Sequence, residues 1–302
     1  MDTLEQFQSA LTGTPMAGHA LVALQVLDTP EQVYAMRTNA RDMEAMWRCA
    51  RALVDKTGRW PLVTQLWTDD DEDLATALEQ ADLFSRFEYM EAPNTDDVSP
   101  RALIAASDVV DVDAFVDRME ADHNEGRSSE DIYLDYARSD TLRRCGHAPS
   151  MEELQTQQFA TGFELERWMF EWELRNGGIG KPEEGRPPFF ELDGPAILLF
   201  LPTPHPWNAL AYISWYGTSR YGSEHYIALG RRWQQRYGAE LFAHFGTMLE
   251  CFAETPTEDI EDAFKLAREH DLAGSCTLSG TTLRNYAAGL LGYDRWFLHE
   301  RP

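Results

Sequence analysis

Two histidines in the last third of the chain carry side chains that can bind a metal ion or act as a general base. His205 lies in PTPHPWNALAYISWYG (202–217), and His225 lies in SEHYIALGRRW (223–233). With Glu224 they would supply two imidazoles and a carboxylate, a set that suits either role. The strings around them lack the spacing of a known ligand motif, so structural or capping histidines are favoured.

An aromatic loop with one arginine follows the first histidine. An arginine such as Arg220 can stack on aromatic rings while it pairs with a carboxylate or a phosphate. If a strand over 202–215 packs on a helix over 223–237, the side chains converge on one pocket. The candidate pocket residues are His205, Trp207, Trp215, Arg220, His225 and Arg232. The alternative is that the tryptophans pack in the core while Arg220 is solvated.

Four glutamates lie in two pairs, seven residues apart, within an otherwise apolar helix predicted over 150–176. They are Glu164, Glu166, Glu171 and Glu173. Paired carboxylates in a partly buried setting can act as acid and base or hold a metal ion. Salt bridges to neighbouring arginines, such as Arg167 and Arg175, explain the same pattern without any function.

Acidic residues are concentrated in one region of a chain whose formal net charge is −25. Residues 69–140 hold 22 acidic and 5 basic side chains, a net charge of −17. Such a surface suits a basic protein partner and disfavours direct binding to a nucleic-acid backbone. The predicted partner-binding residues are Asp69, Asp70, Asp71, Asp73, Asp113, Asp117 and Glu120. Solvation of the protein and imitation of nucleic-acid phosphates are the alternatives.

Common motifs for catalysis and nucleotide binding are missing from the sequence. It contains no GxSxG elbow, HExxH, GxxxxGK loop or GxGxxG turn. No catalytic residue, cofactor or metal is therefore predicted, and enzyme activity is disfavoured.

Cysteine spacing and hydropathy indicate the compartment. The four cysteines, Cys49, Cys145, Cys251 and Cys276, form no CxxC pair and are expected to be reduced. No apolar stretch approaches the roughly 18 residues that a bilayer crossing needs, and MDTLEQFQSA lacks the features of a signal peptide. A cytoplasmic protein without a membrane partner is expected.

The elements predicted in the first half comprise a strand, a helix and a strand, followed by acidic helices. HALVALQVLD (19–28) is typical of a buried strand, and Thr29 can begin a helix that carries apolar residues at helical spacing to Val54. RWPLVTQLW (59–67) predicts the next strand, which makes a βαβ-like unit. The acidic middle segment predicts several short helices up to about residue 144.

The second half predicts a mixture of strands and helices. AILLFL and ALAYISWY are expected to be strands, and 223–237 a helix that ends at Gly238. A hairpin, two further helices and a last strand in RWFLHE complete the chain. The fold class is therefore α+β, with a mixed sheet flanked by helices. The expected domains are 1–145 and 150–302, separated by GHAPS.

Parts of this pattern resemble a bacterial family known as domain of unknown function 4253. TGRWPLV (57–63), LPTPHPW, SEHYIALGRRWQQRYGAEL, FGTMLECFAETP and AFKLAREH carry the resemblance, which covers about 195–300 in the C-terminal part. Family members more often have a Trp-Gly-Gly-Trp-Asn loop followed by Cys-Pro, where this chain has residues 215–220. The resemblance implies a fold and no activity.

The sequence therefore favours a binding protein, such as an immunity-type or inhibitory partner of a basic protein. An enzyme or small-ligand sensor with a pocket around 205–232 is the first alternative, and a nucleic-acid mimic is the second. The acidic charge and the missing catalytic motifs favour the binding protein.

Overall fold

A computed structural model of the chain describes residues 3–26, 29–65, 73–80, 83, 97–125, 133–182, 195–278 and 280–301. These residues form an α+β fold with a mixed sheet, as the sequence predicts. The chain divides into two compact units, each made of separate segments. The first unit comprises 1–112, 189–252 and 301–302, and the second comprises 113–188 and 253–300. The predicted boundary at 145–150 falls inside the second unit.

Seven described strands form the mixed sheet, and six of them belong to the first unit. These are β1 (Val22–Gln25), β2 (Gln32–Asn39), β3 (Trp60–Gln65), β4 (Pro195–Leu201), β5 (Ala239–His244) and β6 (Met248–Ala253). Their order is β1-β2-β4-β3-β5-β6. The seventh strand, β7 (Arg295–His299), comes from the second unit. The first unit therefore carries most of the sheet.

Strand β4 lies between β2 and β3 and runs antiparallel to both. Leu198 faces Met36 on one side and Val63 on the other. Strand β3 pairs in parallel with β5, where Val63 faces Ala243. Strands β2 and β3 therefore share one direction. The sequence predicts the first strand of the βαβ-like unit at 19–28, but β1 in that segment pairs antiparallel with β2 and so runs opposite to β3. The predicted parallel crossover is wrong, because a second strand, β2, lies between β1 and the helix.

The helix predicted from Thr29 to Val54 is wrong in its first half. Residues 32–39 are strand β2, and the helix begins only at Met43. Val33 and Met36 belong to a run of four fully buried residues. Since a continuous apolar run fits a strand covered on both faces as well as a buried helix, spacing alone could not separate the two.

The helices of the first unit complete this half of the fold. They are α1 (Leu4–Ala10), α2 (Met43–Arg51), α3 (Val54–Thr57), α4 (Leu74–Gln80), α5 (Pro100–Ser107) and α10 (Ser223–Tyr237). Gly238 ends α10 with φ 61°, as predicted. The loop of the β5–β6 hairpin contains Gly246 with φ 73°. Both positions need the left-handed region that glycine enters without strain.

The strand predicted over ALAYISWY is a second error. This segment forms short 3₁₀ helices at Trp207–Ala211 and Tyr216–Ser219. Pro206 already has helical angles, with φ −57° and ψ −47°. All five residues of the first 3₁₀ helix are buried, so the segment lacks the alternation of buried and exposed residues that a strand with one exposed face shows.

Tryptophans fix the core of the first unit through their indole N–H groups. Trp47 donates to the carbonyl of Pro61, Trp60 to that of Leu241, and Trp207 to that of Ala239, each at 2.9 Å. Trp215 donates to the carbonyl of Thr247 at 3.0 Å. A buried indole needs such an acceptor, so each ring is held in one orientation.

Helices dominate the second unit. They are α6 (Val112–Asn124), α7 (Leu134–Cys145), α8 (Met151–Gln155), α9 (Gly162–Arg175), α11 (Ile260–Ala273) and α12 (Leu283–Leu290). Phe115 and Met119 are buried on α6, as the acidic-helix prediction requires. The helix predicted over 150–176 is divided into α8 and α9. Ser150 caps the first by accepting from the Glu153 N–H, and Thr161 caps the second.

Candidate functional site

The six residues of the predicted pocket lie in the first unit and have different environments. His205 and Arg220 are exposed, whereas Trp207 and Trp215 are fully buried core residues. The Arg220 guanidinium lies over the ring of Tyr221, 5.3 Å from its centroid. The tryptophans therefore serve as scaffold.

The other two predicted pocket residues lie on α10. His225 Nδ1 is 3.3 Å from Glu224 Oε1, and the Glu224 side chain is buried. Arg232 is half-buried. None of the six residues lines the cleft beside Glu31 and Arg59 in the first unit or the cavity of the second unit.

The predicted acidic residues are distributed over both units. Asp69, Asp70 and Asp71 lie outside the described residues. Asp73 is exposed in the first unit, where its carboxylate accepts from the Thr76 N–H at 3.2 Å and caps α4. Asp113, Asp117 and Glu120 are on α6 in the second unit.

The three acidic residues of α6 differ in exposure. Asp113 and Asp117 are exposed, whereas Glu120 is half-buried and forms an ion pair with Arg268. Glu120 lines a cavity of the second unit. Of these three acidic residues, only Asp113 and Asp117 present their charge on an outer surface.

The four glutamates of α9 divide by orientation. Glu164 accepts from the Ala160 N–H at 2.7 Å, and Glu171 pairs with Arg167 at 2.9 Å on the surface. Glu166 and Glu173 instead face the interior of the second unit. Glu173 is buried and Glu166 is partly buried.

A cavity of about 280 Å³ lies in the second unit between α6, α7, α9, α11 and α12. Its walls are mainly apolar: Phe163, Leu165, Leu272, Leu278 and Leu283. Its polar and charged side chains include Glu120, His123, Glu166, Arg268 and Asp271. Tyr133 and Tyr136 also line it, with 70% and 45% of their surface exposed. Apolar walls with a few polar groups are typical of small-molecule sites.

A buried ionic network lies beside this cavity. Glu173 is 1% exposed and accepts from three groups: Arg144 at 2.7 Å, Arg284 Nε at 3.0 Å and the Thr141 hydroxyl at 2.6 Å. The side chains of both arginines have no exposed surface. A carboxylate without water is stable only with such partners.

Asp140 is the second buried acid of the network. It accepts from Arg144 Nε at 2.9 Å and from the Thr282 hydroxyl at 2.8 Å. Burial opposes the charged form of Arg144, but its contacts with Asp140 and Glu173 hold the pKa of its guanidinium above the ordinary value. Helices α7, α9 and α12 are therefore joined by buried charges, and removal of any one of them is expected to lower the stability of the fold.

Glu166 connects this network to the cavity. Its Oε2 is 2.7 Å from a terminal nitrogen of Arg284 and accepts from the Arg284 N–H at 3.3 Å. Within the described part of the chain, every hydrogen bond and ion pair of this carboxylate uses Oε2. Burial raises the pKa of Glu166, and Arg284 opposes the rise only in part. The carboxylate is thus anchored by one oxygen and retains acceptor capacity at the other.

Arg268 is a positively charged residue of the cavity lining. It pairs with Glu120, and its guanidinium lies 4.1 Å from the centroid of the Phe163 ring. These contacts fix the arginine through an ion pair and a cation–π interaction. Its charge is therefore already used within the protein.

No metal centre is evident in the parts of the chain that the structure describes: they contain no group of three or more His, Cys, Asp and Glu residues arranged to hold an ion. No helix within the described ranges combines the length and apolar character of a membrane span. A second cleft, of about 350 Å³, lies in the first unit beside Glu31 and Arg59. The Arg59 guanidinium there donates to the carbonyls of Gln32 and Phe200 at 2.7 and 3.1 Å.

The site also contains four charged residues that no motif or spacing in the sequence indicates: Asp140, Arg144, Arg268 and Arg284. The spacing of Glu166 and Glu173, two turns apart on one helix, indicates an inward acidic face. Arg284 could have been noticed because a charged residue interrupts the apolar residues of TLRNYAAGL. Nothing in the sequence indicates that these groups meet.

Comparison with known proteins concerns the C-terminal part of the chain. Residues 197–299 match a family model described as Domain of unknown function (DUF4253). This confirms the resemblance over that range, which begins in β4 and ends in β7. No curated protein and no solved structure matches the chain.

The matched range supplies only part of the cavity and its network. Arg268 and Arg284 lie inside the DUF4253 match, whereas Glu120, Glu166 and Glu173 lie outside it. The carboxylate partners of both arginines thus come from helices that precede the family region. The family description carries no activity, so a function must be argued from these residues.

Proposed function

We propose that the protein binds a small organic molecule in the cavity of the second unit. The observation that carries this proposal is the Glu166 carboxylate, anchored by Oε2 to Arg284 beside a cavity with apolar walls. Such a cavity removes an apolar ligand body from water, while the fixed carboxylate orients one polar group. The volume of about 280 Å³ restricts the ligand to a small molecule.

The support for a binding site lies in the rigidity of the carboxylate's surroundings. Arg284 holds Glu166 and also contacts Glu173, which is fixed in turn by Arg144. A polar group held in this way loses little conformational freedom when a ligand arrives. The ligand's binding free energy is therefore not used to order the site.

The experiment is a fragment screen by protein-observed NMR, with resonances of cavity residues as the readout. A small amphipathic fragment should shift the resonances of Leu272, Leu278 and Leu283 and saturate with concentration. Gly162 lines the cavity, and a Cβ built on it meets no atom within 4 Å. Gly162→Phe is therefore expected to fold and to obstruct binding, whereas the matched Gly162→Ala should leave it nearly unchanged. Fragments that bind equally to both variants, or only elsewhere, would contradict the proposal.

Binding of a basic protein through the acidic surface is a separate proposal. Its support in the described residues is the exposure of Asp113 and Asp117 on α6. Charges on such a surface act mainly through long-range attraction and are screened by salt. A partner recovered by pull-down should dissociate as salt rises and should bind less to the double variant Asp113→Lys, Asp117→Lys. Binding indifferent to both changes would contradict this proposal.

A further inference from the structure

We infer that the cavity of the second unit selects a ligand with a protonated amine on an apolar or aromatic body. This inference rests on the proposed function and names the chemical class of its ligand. It follows from the charges that line the cavity, the anchoring of Glu166 and the aromatic groups near them. Each of these observations disfavours an anion at the same position.

The lining side chains have an excess of negative charge. Glu120, Glu166 and Asp271 contribute three carboxylates, and Arg268 contributes the one guanidinium among the cavity-lining residues that the structure describes. Arg284, beside the wall, is shared between Glu166, Glu173 and Asp140. A cationic ligand is attracted by an excess of carboxylates in the lining, whereas an anion is repelled by it.

The two arginines near the cavity are already engaged. Arg268 is paired with Glu120 and lies over the Phe163 ring, and Arg284 contacts Glu166 and Glu173. An anionic ligand would compete with these carboxylates for the guanidinium groups. An amine can instead donate to Glu166 without breaking any of these contacts, because the contacts with Arg284 use only Oε2.

The aromatic residues suit the same ligand class. Tyr133 and Tyr136 line the cavity and keep a large part of their surface exposed. Aromatic faces attract ammonium groups and also cover apolar ligand bodies. The formal net charge of −25 adds a long-range field that attracts cations.

Three probes with the same indole body test the inference: tryptamine, which is cationic, tryptophol, which is neutral, and indole-3-acetate, which is anionic. Their dissociation constants are measured by NMR titration at pH 7 and one salt concentration. Tryptamine is expected to bind at least about tenfold more tightly than tryptophol, since hydrogen bonds to charged groups are stronger than neutral ones. Indole-3-acetate is expected to bind most weakly.

Glu166→Gln tests the residue itself. It should reduce the preference of tryptamine over tryptophol by about tenfold while tryptophol still binds. Glu152→Gln makes the same chemical change at an exposed site of the second unit and should leave the preference unchanged. The ratio among the three probes in the natural protein needs no variant, so the test survives even if Glu166→Gln unfolds.

The outcomes separate this inference from the proposed function. Cavity binding of all three probes with similar affinity, or tighter binding of indole-3-acetate, would overturn the amine inference and leave the proposed function standing. If neither these probes nor any fragment of the screen shifts the cavity resonances, both proposals fail. A tryptamine preference that persists in Glu166→Gln would also overturn the assignment of the amine to this carboxylate.

Discussion

Glu173 shows how a single buried charge can organise the second unit. Its carboxylate contacts Arg144 and Arg284, and it is 1% exposed. The desolvation cost of such a group is balanced only while all partners are present. The network therefore favours the packing of helices α7, α9 and α12 in which these buried charges are paired.

Glu173→Gln is expected to lower the free energy of unfolding by about 3 kcal/mol, because it removes one of the two buried carboxylates that contact both buried guanidinium groups. The matched change Glu171→Gln lies two residues earlier on α9, where the carboxylate is 43% exposed. It should cost at most about 0.5 kcal/mol, as surface ion pairs contribute little. Urea unfolding of both variants measures the difference. Equal costs for the two variants would show that the network does not stabilise the fold.

Two buried histidines make stability depend on pH. Burial lowers the pKa of His244 to about 4 and that of His270 to about 3. An unfolded histidine titrates near 6.5, so below that pH the unfolded state binds more protons than the folded state. The contribution to stability is therefore complete above pH 6.5 and is lost as the pH falls towards 4.

The loss at His244 should reach roughly 3 kcal/mol between pH 6.5 and 4. His244→Gln removes this titration, so the variant's free energy of unfolding should vary less steeply with pH than that of the natural protein. His205→Gln, at an exposed position, serves as the control and should keep the natural slope. Denaturant unfolding at several pH values gives the slopes. An unchanged slope in His244→Gln would rule out this residue as the source.

At the scale of elements, apolar spacing identified most helices and strands but failed where a segment is buried on all sides. Strand β2 and the 3₁₀ segment at Trp207–Ala211 are two such failures. Four consecutive residues are fully buried in β2, and all five are buried in the 3₁₀ segment. The periodicity of apolar residues distinguishes a solvent-exposed face from a buried face, so it gives no information when both faces are buried. Caps and turns at Ser150, Gly238 and Gly246 were predictable because local hydrogen bonding or backbone angle decides them.

Close packing between a helix and the 3₁₀ segment leads to a prediction at Gly230. This glycine lies within α10, and a Cβ built on it would lie 2.0 Å from the Trp207 ring. Gly230→Ala should lower the free energy of unfolding by at least about 2 kcal/mol, since overpacking outweighs the better helix propensity of alanine.

Gly162→Ala is the matched control for this change. Gly162 begins α9, and its added Cβ would meet no atom within 4 Å. It should be neutral or slightly stabilising, because alanine has fewer conformations in the unfolded chain. Thermal or urea unfolding of both variants provides the comparison. A stable Gly230→Ala protein would show that α10 can move away from Trp207 at little cost.

At the scale of the whole molecule, the order of segments along the chain and their order in space differ. Each compact unit contains segments from both halves of the sequence. The sequence does not indicate this arrangement, because the strand that pairs between β2 and β3 follows them by more than a hundred residues. Long-range pairing leaves no local signal. The cavity also depends on long-range contacts, since Glu166 and Arg284 are far apart in the sequence and come together only in the folded protein.

This arrangement predicts that residues 150–302 do not fold as an independent domain. The fragment would lack β2 and β3, so both edges of β4 would be unpaired. It would also lack Asp140 and Arg144, which leaves Glu173 and Arg284 with an incomplete set of partners. Far-UV circular dichroism and a ¹H–¹⁵N NMR spectrum should therefore show no cooperative unfolding and poor dispersion.

Coexpression with residues 1–149 is the control, because it returns the missing strands and helices. The two fragments should copurify and recover a dispersed spectrum, since every lost contact is non-covalent. A fragment 150–302 that folds alone and unfolds cooperatively would mean that the buried charges and the edges of β4 are satisfied within it. In that case the predicted division at 145–150 would be the physical domain boundary.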